Sequence, residues 1–146
     1  MTPNRMAGAP LISVVDDDES VRESLPDLLR TFGYASRAFS SAEEFLSSEI
    51  VDQTDCLVLD VAMPGMSGPT LQRELSRWGR TVPVVFITAM ADEKLRPQLL
   101  AAGAVDCLLK PFSETALLDA ISAALRPGRP SDPTSTASPT GSRSGR

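Results

Sequence analysis

Three short runs of apolar, largely β-branched residues constrain the fold of this chain most strongly. They read LISVV at 11–15, CLVL at 56–59 and VPVVFI at 82–87. A strand with one face in water alternates apolar and polar residues, whereas these runs are almost continuously apolar. Strands of this kind are buried on both faces, and the pattern is typical of a parallel sheet that helices cover on each side.

Segments of helical periodicity alternate with these runs. Their apolar stripes are Val21, Leu25, Leu28, Leu29 and Phe32; then Leu71, Leu75 and Trp78; then Leu117, Ile121, Ala124 and Leu125. Each stripe follows the 3.6-residue period of an amphipathic helix. Weaker strand patterns occupy residues 35–39 and 105–109. Five strand–helix units joined by right-handed crossovers predict a doubly wound α/β domain with a five-stranded parallel sheet.

Local signals refine the helix boundaries. Ser41 and Glu44 have the spacing of a capping box, which predicts a helix start. Gly33 and Gly103 follow helical segments, where a glycine commonly ends a helix. Pro26 and Pro97 fall inside helical segments, so we expect a kink or a late start at each.

The charge of the chain argues against several classes of function. The 146 residues include 14 basic, 19 acidic and no histidine side chains. Residues 1–126 hold 11 basic and 18 acidic groups, a net charge of −7, and an acidic body repels nucleic-acid phosphates. We therefore expect no direct nucleic-acid binding. The lack of histidine excludes histidine triads, histidine-rich zinc sites and a phosphohistidine carried by this chain.

The cellular setting follows from two further sequence features. Cys56 and Cys107 are too few for a disulfide framework, and two strand spacings of about 5 Å would separate them, so both are expected to be free apolar fillers in a reducing compartment. No apolar run approaches the length that crosses a membrane. The chain is expected to be a cytoplasmic protein without membrane contact.

Composition divides the chain into three parts. Residues 127–146 contain 4 Pro, 3 Gly, 5 Ser and 3 Thr, which predicts a disordered tail. Residues 1–10 are expected to be a flexible N-terminus. Residues 11–126 then form the folded domain.

Polar residues follow the predicted strands at the point where each strand ends. They are Asp16, Asp17, Asp18 and Glu19 after the first strand, Asp60 after the third, Thr88 after the fourth, and Lys110 with Pro111 after the fifth. Parallel sheets bind ligands beyond the carboxyl ends of their strands, so these groups are expected to share one rim. Crowded carboxylates repel and need a cation, and oxygen ligands favour Mg²⁺. A carboxylate beside Mg²⁺ can attack phosphorus to form an aspartyl phosphate.

In this order, the motifs resemble those of the receiver domain of bacterial two-component response regulators, in particular its FixJ-type branch. The matching stretches are VVDDDE at 14–19, CLVLDVAMPGMSG at 56–68, PVVFIT at 83–88 and AGAVDCLLKPF at 102–112. The resemblance covers about residues 10–126. It implies a flavodoxin-like (βα)5 fold with strand order 2-1-3-4-5. It also implies a signalling phosphoacceptor that assists its own phosphorylation and dephosphorylation, rather than an enzyme with a separate substrate.

The resemblance also assigns roles to individual residues. Asp60 would accept the phosphoryl group, and Thr88 and Lys110 would contact its oxygens. Asp16, Asp17, Asp60 and the backbone carbonyl of Ala62 would bind Mg²⁺. The Lys110–Pro111 bond would be cis, and Asp18 would cap the following helix. The phosphoryl donor would be a sensor histidine kinase or a histidine phosphotransfer protein.

Cys107 departs from the family pattern. It lies where relatives carry an aromatic residue that rotates inward on phosphorylation, so the change in the face formed by the fourth helix, the fifth strand and the fifth helix, and any homodimer formed through that face, is expected to be muted or to pass through the fourth helix. Ala62 and Met90 lie at positions that tune aspartyl-phosphate hydrolysis in relatives. Neither side chain can orient a water molecule by hydrogen bonding, which predicts a slowly hydrolysed phosphoryl group.

Other interpretations remain open at this point. The first is a stand-alone switch, and its alternative is the N-terminal receiver of a longer DNA-binding transcriptional regulator, with residues 127–146 as linker. A receiver-like module that binds partners without phosphorylation is another, favoured only by Cys107. A phosphatase of the haloacid dehalogenase type would need a second acid two residues after Asp60, where this chain has Ala62.

Overall fold

A computed structural model of the chain describes residues 9–89 and 94–126. The sequence expectations for residues 1–8, for Met90 and for residues 127–146 therefore lie outside the described residues. The strands are β1 Leu11–Val15, β2 Ala35–Phe39, β3 Cys56–Asp60, β4 Val84–Thr88 and β5 Asp106–Leu109. The helices are α1 Glu19–Thr31, α2 Ala42–Leu46, α3 Gly68–Arg77, α4 Leu95–Ala101 and α5 Glu114–Leu125, with a 3₁₀ helix at Glu49–Gln53.

The five strands form one parallel sheet in the order β2-β1-β3-β4-β5. This confirms the doubly wound fold and its strand order. Every residue of β1, β3 and β4 is buried, as their continuous apolar runs predict. β4 begins at Val84 rather than at Val82, because Pro83 has no backbone N–H to donate to a neighbouring strand. The carbonyl of Pro83 accepts a hydrogen bond from the N–H of Leu57 on β3, where the pairing of β3 with β4 starts.

Helices cover both faces of the sheet, and a separate apolar core lies under each layer. One core includes Phe39, Phe45, Leu71 and Phe86 and lies against α2, α3 and α4. The other includes Leu29, Val58, Leu117 and Ile121 and lies against α1 and α5. Because alternate residues of each strand point to opposite faces, both cores draw on the same central strands. This two-sided burial fixes the sheet and holds its carboxyl ends in register.

The last residues of two predicted apolar stripes are not in the core. Phe32 and Trp78 are the C-caps of α1 and α3 and are 54% and 51% exposed, so each apolar stripe extends one residue beyond its helix. Each helix stops before its stripe is complete. Gly33 and Gly79 follow with φ of 90° and 78°, a left-handed conformation that ends a helix and that glycine adopts without a Cβ clash.

The two helical prolines behave differently. Pro97 is the third residue of α4, which begins at Leu95, and at that position a backbone N–H would have no partner within the helix. α1 continues through Pro26 to Thr31. Before β1, Ala9 is buried and the carbonyl of Pro10 accepts a hydrogen bond from the N–H of Ala35 at 3.0 Å. No helix in the described part of the chain is long and apolar enough to cross a membrane.

Candidate functional site

Asp16, directly after β1, is held by hydrogen bonds on nearly every polar atom. Its N–H donates to the carbonyl of Phe39 at 3.1 Å, and its Oδ1 accepts from the N–H of Asp18 at 2.9 Å. The guanidinium of Arg22 donates to the Asp16 carbonyl at 3.0 Å. The side chain is fully buried, and its Oδ2 is paired with the ammonium of Lys110. These contacts fix the orientation of the carboxylate.

Asp60 ends β3, the strand beside β1, and lies next to Asp16. One carboxylate oxygen from each of Asp16, Asp17 and Asp60 lies within 4.8 Å of the others. Asp16 and Asp60 are buried, whereas Asp17 is exposed. The three carboxylates thus lie together at the carboxyl edge of the sheet, as predicted. One side of the cluster is open to solvent.

Lys110, directly after β5, places a positive charge beside this cluster. Its Nζ lies 2.8 Å from Oδ2 of Asp16 and 4.0 Å from Oδ1 of Asp60. Burial alone would lower the pKa of Lys110, but the hydrogen bond and the negative charge of Asp16 outweigh it and raise that pKa. The side chain is therefore an ammonium at neutral pH. The Lys110–Pro111 peptide bond is cis, as the sequence analysis expected.

The charge of this single ammonium does not balance the cluster. Burial, and next to it the negative charge of Asp16, raises the pKa of Asp60 from 3.8 to about 7. Lys110 lowers it, but not by enough to restore the ordinary value. Two buried carboxylates side by side cannot both ionise easily, and a nearby positive charge would stabilise their ionised forms.

The residues present fit a hard divalent cation. Two of the three carboxylates are buried, and together the cluster offers three oxygen ligands within 4.8 Å of one another. Oxygen ligands with one side open to water suit Mg²⁺, which keeps several water molecules when protein binds it. When bound, the cation would neutralise charge on the carboxylates and on a phosphoryl group.

Thr88 and Ala62 lie at the same edge of the sheet. Thr88 is the buried last residue of β4, and its carbonyl accepts from the N–H of Lys110 at 2.7 Å. The residue before Thr88 on β4, Ile87, pairs with Asp60 on β3. Ala62 is exposed, two residues after Asp60 in the β3–α3 loop. The strand order thus brings all five side chains from the sequence analysis, Asp16, Asp17, Asp60, Thr88 and Lys110, to one rim.

Sequence reasoning assigned no role to Gly68, which lies directly beneath Asp60. A Cβ on Gly68 would overlap the carbonyl oxygen of Asp60 and come within 3.0 Å of the Phe86 ring. A side chain here would therefore displace the strand end that carries Asp60. The signal available in the sequence was a glycine at a helix start, where Ser67 is the N-cap and no left-handed turn requires it.

Cys107 is buried in β5 and packs in the core beneath α4. Cys56 is buried in β3, in the core on the other face, and β4 separates the two strands. Neither Cys56 nor Cys107 is part of a disulfide, as expected. Burial raises the pKa of the Cys107 thiol, so it is uncharged at neutral pH and acts as an apolar filler.

An apolar groove of about 500 Å³ opens beside Lys110. It runs between α1 and the segment that joins β5 to α5. Its floor contains Val21, Leu25, Leu28, Pro111 and Phe112, and its rim contains Asp18, Lys110 and Glu114. One end of the groove therefore reaches the carboxylate cluster.

A family comparison identifies this arrangement. The model of the response regulator receiver domain matches residues 12–122, which includes the sheet except for Leu11 and includes the cluster at its edge. The chain belongs to the response regulator receiver domain family. Receiver domains are the phosphoacceptors of two-component signalling, and they bind Mg²⁺ through acidic residues and interact with histidine kinases.

Relatives support this assignment at the level of sequence. Nodulation protein W of Bradyrhizobium diazoefficiens is 46% identical over 114 residues, which cover 78% of this chain and 50% of that protein. Response regulator protein TodT of Pseudomonas putida is 43% identical, over 81% of this chain and 52% of TodT. Transcriptional regulatory protein FixJ of Azorhizobium caulinodans is 40% identical, over 78% of this chain and 54% of FixJ. The chain spans about half the length of these curated relatives.

Solved structures agree with the fold. Response regulator StyR matches with a TM-score of 0.74 and 47% identity, over 81% of this chain and 60% of that one. The crystal structure of FixJ-N matches with a TM-score of 0.71 and 36% identity, over 80% of this chain and 93% of that one. The resemblance to a FixJ-type receiver is confirmed. Membership of this family also agrees with the argument from Ala62 against a haloacid dehalogenase phosphatase.

Proposed function

We propose that Asp60 accepts a phosphoryl group in a two-component relay, with Mg²⁺ held by Asp16, Asp17, Asp60 and the carbonyl of Ala62. The observation that carries this proposal is the cluster of three carboxylates within 4.8 Å, two of them buried, with the ammonium of Lys110 beside them. On this proposal the domain assists its own phosphorylation and dephosphorylation and has no separate substrate.

The transfer is an in-line displacement at phosphorus. A carboxylate oxygen of Asp60 forms a bond to phosphorus while the bond between phosphorus and the donor's imidazole nitrogen breaks. The imidazole keeps the electron pair of that bond and later takes a proton from solvent. Lys110 and the hydroxyl of Thr88 stabilise charge on the equatorial phosphoryl oxygens, which is where charge accumulates in such transfers.

The phosphoryl donor is a partner protein with a phosphohistidine, because this chain contains no histidine. The apolar groove between α1 and Phe112 suits a helix of a histidine kinase or phosphotransfer protein, since a helix with an apolar face can fill such a groove. Lys110 lies at the rim of that groove and beside Asp60, so a histidine on the docked helix would face the acceptor.

The decisive experiment combines a small donor with intact mass. The purified chain is incubated with Mg²⁺ and acetyl phosphate, or with beryllofluoride as a mimic of the phosphoryl group. The wild type is expected to gain one phosphoryl group, and Asp60→Ala none. Asp27→Ala, which removes an exposed carboxylate on α1, is the control and is expected to behave as the wild type. If the wild type gains no phosphoryl group and its binding to protein partners is the same with and without the donor, the phosphorylation-independent module is favoured instead.

Three of the curated relatives are named as transcriptional regulatory proteins, and this chain spans about half of their length. This supports the second candidate, in which residues 11–126 are the receiver of a longer DNA-binding regulator and residues 127–146 are the linker. In the stand-alone form, the acidic receiver would bind no nucleic acid and would act in the cytoplasm through a protein partner.

The output surface on this proposal is the face formed by α4, β5 and α5. Leu109 is 49% exposed at the end of β5, which gives this face an apolar centre for a homodimer or a partner. Cys107, beneath it, is too small to fill the volume of the aromatic residue that relatives carry there. Light scattering with and without beryllofluoride measures whether dimer formation depends on phosphorylation, and Cys107→Tyr measures whether the aromatic residue strengthens it.

A further inference from the structure

We infer that Glu43, an exposed residue of α2, is a positioning residue for the β3–α3 loop and thereby for the metal site. Its Oε2 accepts a hydrogen bond from the N–H of Met66 at 3.1 Å, across 23 residues of chain. This inference rests on the proposed function, because the loop in question carries Ala62, whose carbonyl is a proposed Mg²⁺ ligand.

Gly65 provides a second observation of the same contact. A Cβ on Gly65 would lie 2.7 Å from Oε2 of Glu43, and the φ of Gly65 is 78°. The loop thus adopts a left-handed turn at a residue without a side chain, and the carboxylate of Glu43 occupies the space beside it. The glycine and the glutamate are complementary, since a side chain at 65 would expel the carboxylate.

The helix that carries Glu43 is anchored in the core on both sides of it. Ala42 and Phe45 are fully buried, and the ring of Phe45 packs edge-on against Phe39 with centroids 5.4 Å apart. The hydroxyl of Ser41 caps the start of α2 by accepting from the N–H of Glu44 at 3.0 Å. An acceptor on such a helix is preorganised, so it restrains the loop rather than following it.

The backbone holds the β3–α3 loop at its two ends. The N–H of Val61 donates to Ile87 on β4, and the N–H of Gly68 donates back to the carbonyl of Val61, both at 3.0 Å. Glu43 holds the loop between these points, near its tip. Ala62 is exposed and lies in the same loop, between Val61 and Met66. By restraining the loop at Met66, Glu43 limits the positions open to the Ala62 carbonyl.

Glu44 offers a matched control for charge and fold. It is the neighbouring glutamate of the same helix, but its Oε1 accepts from the N–H and hydroxyl of Ser40 at 2.7 and 3.0 Å, and so serves the helix start. Both glutamates carry one negative charge near the site, and only Glu43 contacts the β3–α3 loop among the hydrogen bonds of the described residues.

The experiment measures Mg²⁺ affinity by calorimetry and the rate of phosphorylation by acetyl phosphate. Glu43→Ala is expected to weaken both by about three- to tenfold, the effect of one lost hydrogen bond. Glu43→Gln keeps an acceptor oxygen and is expected to retain both within about twofold of the wild type. Glu44→Ala is expected to lower thermal stability while leaving Mg²⁺ affinity within the same range.

The outcomes separate this inference from the proposal on which it rests. If Glu43→Gln weakens Mg²⁺ binding as much as Glu43→Ala, the residue acts through its charge and the inference is overturned. The inference is also overturned if the wild type is phosphorylated on Asp60 and Glu43→Ala has the same Mg²⁺ affinity and phosphorylation rate as the wild type. A wild type that gains no phosphoryl group would overturn the proposed function first.

Discussion

The ammonium of Lys110 pairs with Asp16 at 2.8 Å and lies farther from Asp60, at 4.0 Å. The oxygen it faces is Oδ2 of Asp16, a buried carboxylate. We expect a divalent cation bound at this carboxylate to compete with the ammonium, which would then be available to a phosphoryl group on Asp60.

Lys110→Met is the first test of this competition. The variant lacks the ammonium, so Mg²⁺ at pH 8 is expected to bind about three- to tenfold more tightly than to the wild type. Phosphorylation by acetyl phosphate is expected to fall by at least about tenfold, since the charge on the phosphoryl oxygens loses one partner. Calorimetry and intact mass give the two values. Weaker Mg²⁺ binding to the variant would contradict the competition.

Lys94→Met is the control for a lost positive charge. Lys94 and Lys110 are the two lysines of the chain, and Lys94 is the exposed N-cap of α4. Its replacement is expected to leave Mg²⁺ affinity within about twofold of the wild type, because solvent and salt screen exposed charges.

The raised pKa of Asp60 predicts how the free energy of unfolding depends on pH in the absence of metal. Its folded pKa is about 7 and its ordinary value is 3.8, so between these values the folded protein holds a proton that the unfolded chain has released. The free energy of unfolding therefore falls as the pH rises through this window. Asp60→Asn has no such proton. The free energy of unfolding of Asp60→Asn, taken relative to that of the wild type, is expected to increase by on the order of 2 kcal/mol between pH 5 and pH 8.

Urea unfolding in EDTA at several pH values measures this difference. Saturating Mg²⁺ is expected to reduce it at pH 8, because the cation offsets the repulsion that makes the Asp60 carboxylate costly in the folded wild type. A difference between Asp60→Asn and the wild type that stays constant from pH 5 to pH 8 would show that the Asp60 pKa is not raised.

The sheet and the rim were predictable because both follow from short-range patterns. Continuous apolar runs require two-sided burial, and parallel strands bring the residues after them, such as Asp16 and Asp60, to one edge. The resemblance supplied the strand order that makes these two neighbours. Helix ends were less predictable, because the stripe pattern extends one residue too far at Phe32 and Trp78, and a following glycine stops each helix.

Contacts between distant segments were beyond the sequence patterns. The glutamates of α2 are identical as side chains, and only the packed structure shows that Glu43 reaches Met66 while Glu44 reaches Ser40. The choice of Lys110 between Asp16 and Asp60 depends on differences of about an ångström, which spacing in a sequence does not encode.

Gly68→Ala is expected to damage the site and the fold together. The added Cβ meets the carbonyl oxygen of Asp60 and, at 3.0 Å, the ring of Phe86, so β3 or α3 must shift. Overpacking of this kind costs about 1–3 kcal/mol, and the displaced Asp60 is expected to slow phosphorylation by acetyl phosphate several-fold. Gly79→Ala is the control, because its surroundings are open and it adds only backbone strain, far from the cluster. Equal phosphorylation rates in the two variants would contradict the role of Gly68.

Ala62→Asn tests the lifetime of the phosphoryl group. Ala62 is exposed at the rim, two residues after Asp60, and its methyl group cannot hold a water molecule for attack on phosphorus. An asparagine there can accept a hydrogen bond from that water and orient it, so hydrolysis is expected to be about three- to tenfold faster than in the wild type. The measurement follows loss of the phosphoryl group by intact mass after acetyl phosphate is removed, with Mg²⁺ present. Ala62→Ser, whose shorter side chain reaches less far, is expected to fall between the two. If the wild type loses its phosphoryl group as fast as Ala62→Asn does, water reaches the aspartyl phosphate without help from residue 62, and the slow hydrolysis expected from this position is wrong.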